Sequence, residues 1–163
     1  MYILDLINGE PVSSEIVLMD AKSVPLKRDG WQFNWRKLAS KEQAYVLATS
    51  NTPESVEGAL CLRIQSGMLF MEALELAPHN VGQKHKRYDH VAGCLIAYAC
   101  RESFKFKGEY KVFLGFVSKT ELTHWYVEKY GAKVALGQRL YFDAESGEHL
   151  IKEYLYRKKT DQL

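Results

Sequence analysis

Four basic residues in a row, Lys84, His85, Lys86 and Arg87, stand just ahead of a helical pattern, and two carboxylates, Glu72 and Glu75, interrupt the apolar run before them. That run, residues 68–76, reads MLFMEALEL and ends close to Pro78. Beyond the basic stretch, Val91, Cys94, Leu95, Tyr98 and Ala99 fall at i, i+3, i+4, i+7 and i+8, one apolar helical stripe. A buried strand, a basic loop carrying Gly82 and the first turn of a helix make an anion site. The free N–H groups of that turn and the positive end of the helix dipole point at whatever sits in the loop. Cations placed there oppose the dipole and cost stability unless an anion is bound. Asp89 is the expected N-cap of the helix. The carboxylates suggest a second chemistry. Glu72 inside an apolar strand is suited to accept a proton, directly or through water, and Glu75, on the opposite face, is the alternative. A purely structural, paired carboxylate is an equally good reading of either.

These residues need elements to hold them. Residues 3–7 and 15–20 are expected as short strands around the Asn8-Gly9 turn, residues 44–49 and 56–65 as strands, and Ser66-Gly67 as a hairpin turn into Met68. In residues 31–35, Trp31, Phe33 and Trp35 alternate, which puts three rings on one face of an extended segment. They form either a flap on the core or one wall of an acceptor pocket. After the central helix, residues 111–117 (KVFLGFV) predict a strand buried on both faces. Ser118 and Glu121 then fit a capping box for a helix with Leu122, Trp125 and Tyr126 on its buried stripe and Gly131 at its stop. Residues 133–142 and 149–157 are expected as a closing hairpin around DAESGE, followed by a fraying KKTDQL tail. The fold class that results is α/β (α+β). It is a mixed, mostly antiparallel sheet with a central parallel strand pair and helices on both faces, in a single domain over residues 1–163.

The chain has 163 residues, 47% of them hydrophobic, enough for a full core without staples. A net charge of only +2 with interspersed signs disfavours a dedicated polyanion binder. Cys61, Cys94 and Cys100 show no C-x-x-C spacing and read as buried thiols of a reducing compartment, with no metal site. The N-terminus lacks the pattern of a signal peptide, and no apolar run is long enough to span a bilayer. A soluble, cytoplasmic protein is expected.

Three segments, in order, resemble the GNAT superfamily of acyl-CoA-dependent N-acetyltransferases. Leu74-Glu75-Leu76-Ala77-Pro78 is similar to its strand ending L-x-V-x-P. Arg87-Tyr88-Asp89-His90-Val91-Ala92 is similar to its pyrophosphate motif, Q/R-x-x-G-x-G/A. Trp125 to Ala132 is similar to its F-Y-E-K-x-G-F segment. Two departures stand out: His90 replaces the motif glycine, and the loop before Arg87 is longer than usual. The resemblance implies acetyl-CoA as co-substrate, lying in a split between residues 68–76 and 111–117, with its pantetheine amides on the backbone of Leu76. It implies the diphosphate on the amides of Tyr88, Asp89, His90, Val91 and Ala92, with Lys86 and Arg87 as charge partners, and Thr120 near the cofactor. Arg87→Glu is then expected to weaken cofactor affinity with little effect on the fold. The acid of the family is a tyrosine whose place is taken here by Val127. Tyr126, one residue earlier and about 100° around the helix, and His124 are the candidates to replace it. The implied activity is direct acetyl transfer to a primary amine of a small molecule, peptide or aminoacyl group, with no membrane partner, nucleic acid disfavoured and a homodimer allowed for. A catalytically weak module that binds acyl-CoA or a protein partner is the alternative.

Overall fold

The structure, a computed structural model, describes residues 1–158. Strands β1 (Tyr2–Asp5) and β2 (Pro11–Leu18) pair through a turn in which Gly9 takes φ 73° and the Asn8 side chain accepts the Glu10 N–H at 2.9 Å. Helix α1 (Trp35–Lys41) precedes a meander of β3 (Gln43–Thr49), β4 (Gly58–Gln65) and β5 (Met68–Leu76). A loop, the two-residue strand β6 (Tyr88–Asp89) and helix α2 (Val91–Lys105) lead to β7 (Leu114–Val117). Helix α3 (Thr123–Tyr130), the hairpin β8 (Lys133–Leu136) and β9 (Arg139–Phe142), and helix α4 (Ala144–Leu150) complete the order, α4 running on into one π turn, Ile151–Leu155.

All nine strands form one sheet in the order β6-β1-β2-β3-β4-β5-β7-β9-β8. Every pair is antiparallel except β5 with β7, which α2 connects as a crossover. The main core lies on the face carrying α2 and α4, around Leu60, Leu95, Ile96, Leu114, Phe116, Phe142 and Leu150. A smaller core of Trp31, Trp35, Val46, Ala59 and Cys61 fills the opposite face beneath α1. The α/β (α+β) class, the parallel pair and the helices on both faces are therefore present. No helix among the described residues is long and apolar enough to cross a membrane.

Four local expectations are corrected. The aromatic segment is not extended: the Asn34 side chain accepts the Lys37 N–H, so Asn34 caps α1 and Trp35 opens it. Trp31 and Trp35 are buried and Phe33 is exposed, because an N-cap side chain diverts the backbone out of alternation. The strand expected over residues 111–117 begins only at Leu114, after a turn in which Val112 takes φ 66°. Ser118 and Glu121 make no capping box. Ser118 Oγ lies 2.8 Å from Thr123 Oγ1, and a 3-10 turn, Thr120–Leu122, comes first, leaving Leu122 and Trp125 partly exposed. The closing hairpin is the short β8–β9 pair, turned at Gly137, and residues 149–157 are mainly helical. Asp143 and Ser146 form a reciprocal capping box that starts α4, so the DAESGE stretch is a helix start. The expectation of a frayed tail lies, from residue 159 on, outside the described residues.

Candidate active site

Strands β5 and β7 share only three rungs, Leu69 with Leu114, Phe70 with Gly115 and Met71 with Phe116. Immediately beyond, Glu72 is an extra residue in β5: Met71 faces Leu62 of β4 while Ala73 faces Cys61. Such a bulge bends and twists its strand, and here it carries β5 away from β7. The rest of β5 keeps β4 as its partner on one side and, among the described residues, has no strand on the other. Ala77 N–H donates to Glu57 O at 3.0 Å. By strand alternation Glu75 and Ala73 also turn their backbone groups toward β4, and Leu76 and Leu74 turn theirs into the fork. Backbone N–H and C=O groups at an open edge inside a sheet are a template for another extended, amide-bearing chain.

The N-terminus of α2 stands over the same end of the sheet. Gly58 lets it approach closely: a Cβ there would meet Val91 Cγ1 at 2.7 Å and Leu95 Cδ1 at 2.8 Å. The cap is His90, in left-handed backbone at φ 72°, and not Asp89. Asp89 lies in β6, paired with Leu4 of β1, and its carboxylate accepts the His90 N–H at 2.8 Å and the Lys86 ammonium at 2.9 Å. Burial pushes the Asp89 carboxyl up, but the bonds from Lys86 and the His90 amide outweigh it and hold the group below its ordinary value. Burial likewise lowers the His90 imidazole, against the pull of Asp89.

Two of the expected anion-binding amides already hold protein oxygens: Tyr88 N–H donates to Asn80 Oδ1 at 2.9 Å and His90 N–H to Asp89 Oδ1 at 2.8 Å. Just ahead of them, Arg87 N–H donates to His79 O at 2.8 Å. The buried Tyr154 ring lies so close to Gly93 that a Cβ there would sit 2.3 Å from Tyr154 Cε1. Of the expected amides Val91 and Ala92 are left over, and the Lys86 ammonium is held at Asp89. Arg87 points elsewhere. Its guanidinium donates to Asp5 Oδ2 at 3.0 Å and stacks on Tyr88 at 5.0 Å. Asp5 is buried, so Arg87 ties β6 to β1. Arg87→Glu, expected from the sequence to spare the fold, should instead lower stability by about 2 kcal/mol or more, since it leaves a buried carboxylate facing a second one. An unchanged urea midpoint would show that the pair contributes nothing.

A polar cluster that the sequence pattern did not reveal sets this loop's path. Glu57 is 2% exposed. Its Oε1 lies 2.5 Å from His79 Nε2 and accepts Asn80 Nδ2 at 3.0 Å, while Oε2 accepts Ser55 Oγ at 3.3 Å. Asn80 also donates to Glu57 O and accepts from Tyr88 N–H, which folds the β5–β6 loop back under the helix end. Nothing in the polar stretch around Glu57 distinguishes a buried carboxylate from a solvated one.

The proton-transfer candidates fare unequally. Glu72 is exposed at the bulge and paired with Arg63, so the expected burial does not occur. Glu75 accepts Gln32 N–H at 2.6 Å, Phe33 N–H at 3.2 Å and Trp35 Nε1–H at 2.8 Å, which fastens the aromatic segment to β5. Three donors on one carboxylate leave it a structural anchor. His124 is 82% exposed on the first turn of α3, next to Glu128 at 3.1 Å. Thr120 Oγ1 accepts Gln138 Nε2 at 2.6 Å in the turn after β7. Tyr126 is the one whose ring meets a strand residue next to the fork. Its ring stands edge-on to Phe116, centroids 4.9 Å apart, and Phe116 is the last rung before β5 and β7 part. Burial pushes the Tyr126 phenol above its ordinary value, and its hydroxyl has no hydrogen-bond partner among the described residues. Val127 is partly buried against the main core and offers no acid. Burial raises Cys61 to about 11 and Cys94 and Cys100 to about 12, so none of the three supplies a thiolate nucleophile near neutral pH.

No protein-family model matches the chain, and no curated protein matches it. Solved structures do. A crystal structure of AtaTR bound with AcCoA aligns at TM-score 0.61 and 19% identity, over 85% of this chain and 98% of that one. AtaT complexed with acetyl-methionyl-tRNAfMet aligns at TM-score 0.58 and 16% identity, over 85% and 99%. The ribosomal-protein-S18-alanine N-acetyltransferase from Escherichia coli aligns at TM-score 0.54 and 9% identity, over 78% and 89%. At these identities the likeness is one of fold.

Proposed function

We propose, starting from a chain with the GNAT fold, that this protein is an N-acetyltransferase that moves an acetyl group from acetyl-CoA directly to an amine. The observation that carries the reading is the fork between β5 and β7, where the backbone of Leu74 and Leu76 faces no strand among the described residues. The pantetheine arm is an extended chain with two amides and pairs there as a short strand would, Leu76 being its principal contact. Its diphosphate then reaches the first turn of α2. Val91 and Ala92 supply amides, and Lys86 turns from Asp89 to the phosphate, a charge-assisted bond for a charge-assisted bond. Tyr88, Asp89 and His90 frame that end rather than donate to the anion. Thr120 borders the fork on the β7 side.

In the transfer, the neutral amine attacks the thioester carbon, the C–N bond forms and the C–S bond breaks. The sulfur leaves as a thiolate. Tyr126, protonated throughout the neutral range, donates a hydrogen bond to it. The two carboxylates of β5, Glu72 and Glu75, are committed to Arg63 and to the aromatic segment, so the ammonium proton of the acceptor goes to solvent.

Isothermal titration with acetyl-CoA, together with melting curves, tests the reading. A ligand selective for the folded state must raise the melting temperature, and no shift at millimolar cofactor sinks the assignment. The competing role, a binding module without turnover, has its support in His90, which replaces the motif glycine, and in Val127, which stands where the family has its tyrosine. Binding without release of free thiol across a panel of amines, aminoacyl esters included, would favour it.

A further inference from the structure

The face of the sheet that carries α1 is left open over β5, β7 and β9, and there it holds a cleft of about 460 Å³. Leu114, Phe116, Leu140 and Phe142 are buried in the main core. Their alternates Gly115, Arg139 and Tyr141 therefore face the other way, into the cleft, with Met68 and Phe70 of β5 and Phe113. The walls are mainly apolar and aromatic, with the Phe113 and Tyr141 rings 6.1 Å apart, and Gln65 and Ser66 border the end away from the fork. Gly115 forms the floor. A Cβ there would lie 2.8 Å from Met68 Cε and 3.2 Å from Phe70 Cδ2. The size suits one small molecule or one large side chain.

The cleft has a direction. Arg139 pairs with Val117, one rung beyond Phe116 and Met71, where the fork opens. Tyr141, Gly115 and Phe70 lie two residues back along their strands, and Phe113 and Met68 further back still. Among the described lining residues the one cation, Arg139, thus sits at the fork end and the pocket extends away from it. Arg139 is exposed, and its guanidinium has no carboxylate partner among the described residues. An unpaired Arg beside an apolar pocket is suited to hold a planar anion by two parallel hydrogen bonds.

We propose that this cleft is the acceptor subsite and that it takes a free α-amino acid with a large apolar side chain. The inference rests on the acetyltransferase reading. The side chain fills the space between Phe70, Phe113 and Tyr141, the carboxylate rests on Arg139, and the α-amine, one bond from the carboxylate-bearing carbon, is directed to the fork. The amine first loses a proton to solvent. It then attacks the thioester carbon, the C–N bond forms, the C–S bond breaks, and the second N–H proton leaves as the adduct collapses. The products are the N-acetyl amino acid and free CoA.

Release of free thiol from acetyl-CoA is measured with L-phenylalanine, with phenethylamine, which keeps the ring and loses the carboxylate, with the dipeptide Phe-Gly, and with L-lysine. Calorimetric titration of L-phenylalanine into the protein, with and without CoA, is run beside it. The expected result is a kcat/KM for L-phenylalanine at least tenfold above that for phenethylamine, a difference that Arg139→Gln abolishes. Phenethylamine or L-lysine used as well as L-phenylalanine overturns the proposal, and a preference for Phe-Gly overturns the role of the free carboxylate. Turnover of other amines with no binding of L-phenylalanine overturns the subsite and leaves the transferase standing. Binding of L-phenylalanine that Arg139→Gln removes, with no binding of acetyl-CoA, supports the cleft and removes the transferase.

Discussion

Gly93→Leu is expected to destabilise the protein by about 3 kcal/mol or more. Even the first atom of the new side chain would lie 2.3 Å from Tyr154 Cε1, 2.4 Å from Cζ and 2.7 Å from Cδ1. That ring has nowhere to retreat. It is 5% exposed and lies 5.9 Å from the His90 ring and 6.2 Å from the Tyr130 ring. An alanine at an ordinary helical site would gain about 1 kcal/mol over glycine; here Gly93→Ala should lose stability, because the clash exceeds the propensity gain. The segment that must move is the C-terminal turn, Ile151–Leu155, which packs on α2. Urea unfolding of Gly93→Ala, alone and with Tyr154→Leu, checks the cause. The second change opens the space and should recover most of the loss. No recovery would mean that the Tyr154 contact is not what excludes a side chain at residue 93. The same contact bears on the proposed function, since it packs the C-terminal turn against the first turn of α2, whose Val91 and Ala92 amides are those proposed for the anion.

Tyr126→Phe is expected to lower kcat about 100-fold, with little change in affinity for acetyl-CoA. The ring contacts with Phe116 and Trp125 survive the substitution, so the melting temperature should hardly move. The pH dependence separates this role from a structural one. A thiol ionises near 8.5 and an ordinary phenol near 10, and burial takes Tyr126 higher still. A group with so high a value cannot transfer its proton fully to a thiolate. It stabilises the thiolate by a hydrogen bond and stays protonated below its own raised value. The rise of kcat/KM with pH should therefore follow the acceptor amine and keep its shape in Tyr126→Phe. A variant as fast as the parent, or one whose profile loses a limb present in the parent, would remove Tyr126 from this role.

Much of the molecule is legible before any coordinates. Strand β5, the stripe of α2 and the stop at Gly131 follow from residue type and spacing, because burial, helical period and a left-handed backbone at φ 75° each impose a local pattern. The closing segment misled for a physical reason. Leu150, Ile151, Tyr154 and Leu155 form a helical stripe, yet DAESGE also satisfies turn chemistry, and only the reciprocal Asp143–Ser146 bonds decide between helix and hairpin. The charges misled in the same way. Lys84, His85, Lys86 and Arg87 advertise an anion site in sequence, whereas Arg87 is spent on Asp5, far away in the chain.

The amino-acid order by itself determined the succession of elements, the apolar faces and the place of the basic loop before α2, all of which are consequences of short-range periodicity and turn chemistry. Only the tertiary structure decided what those groups hold: the bulge at Glu72 that parts β5 from β7, the buried Glu57 that folds the loop, the ring of Tyr154 over Gly93, and the exposed Arg139 beside an apolar cleft. Each of these joins residues remote in sequence, and a side chain's charge and apolar surface do not say which distant partner will meet them.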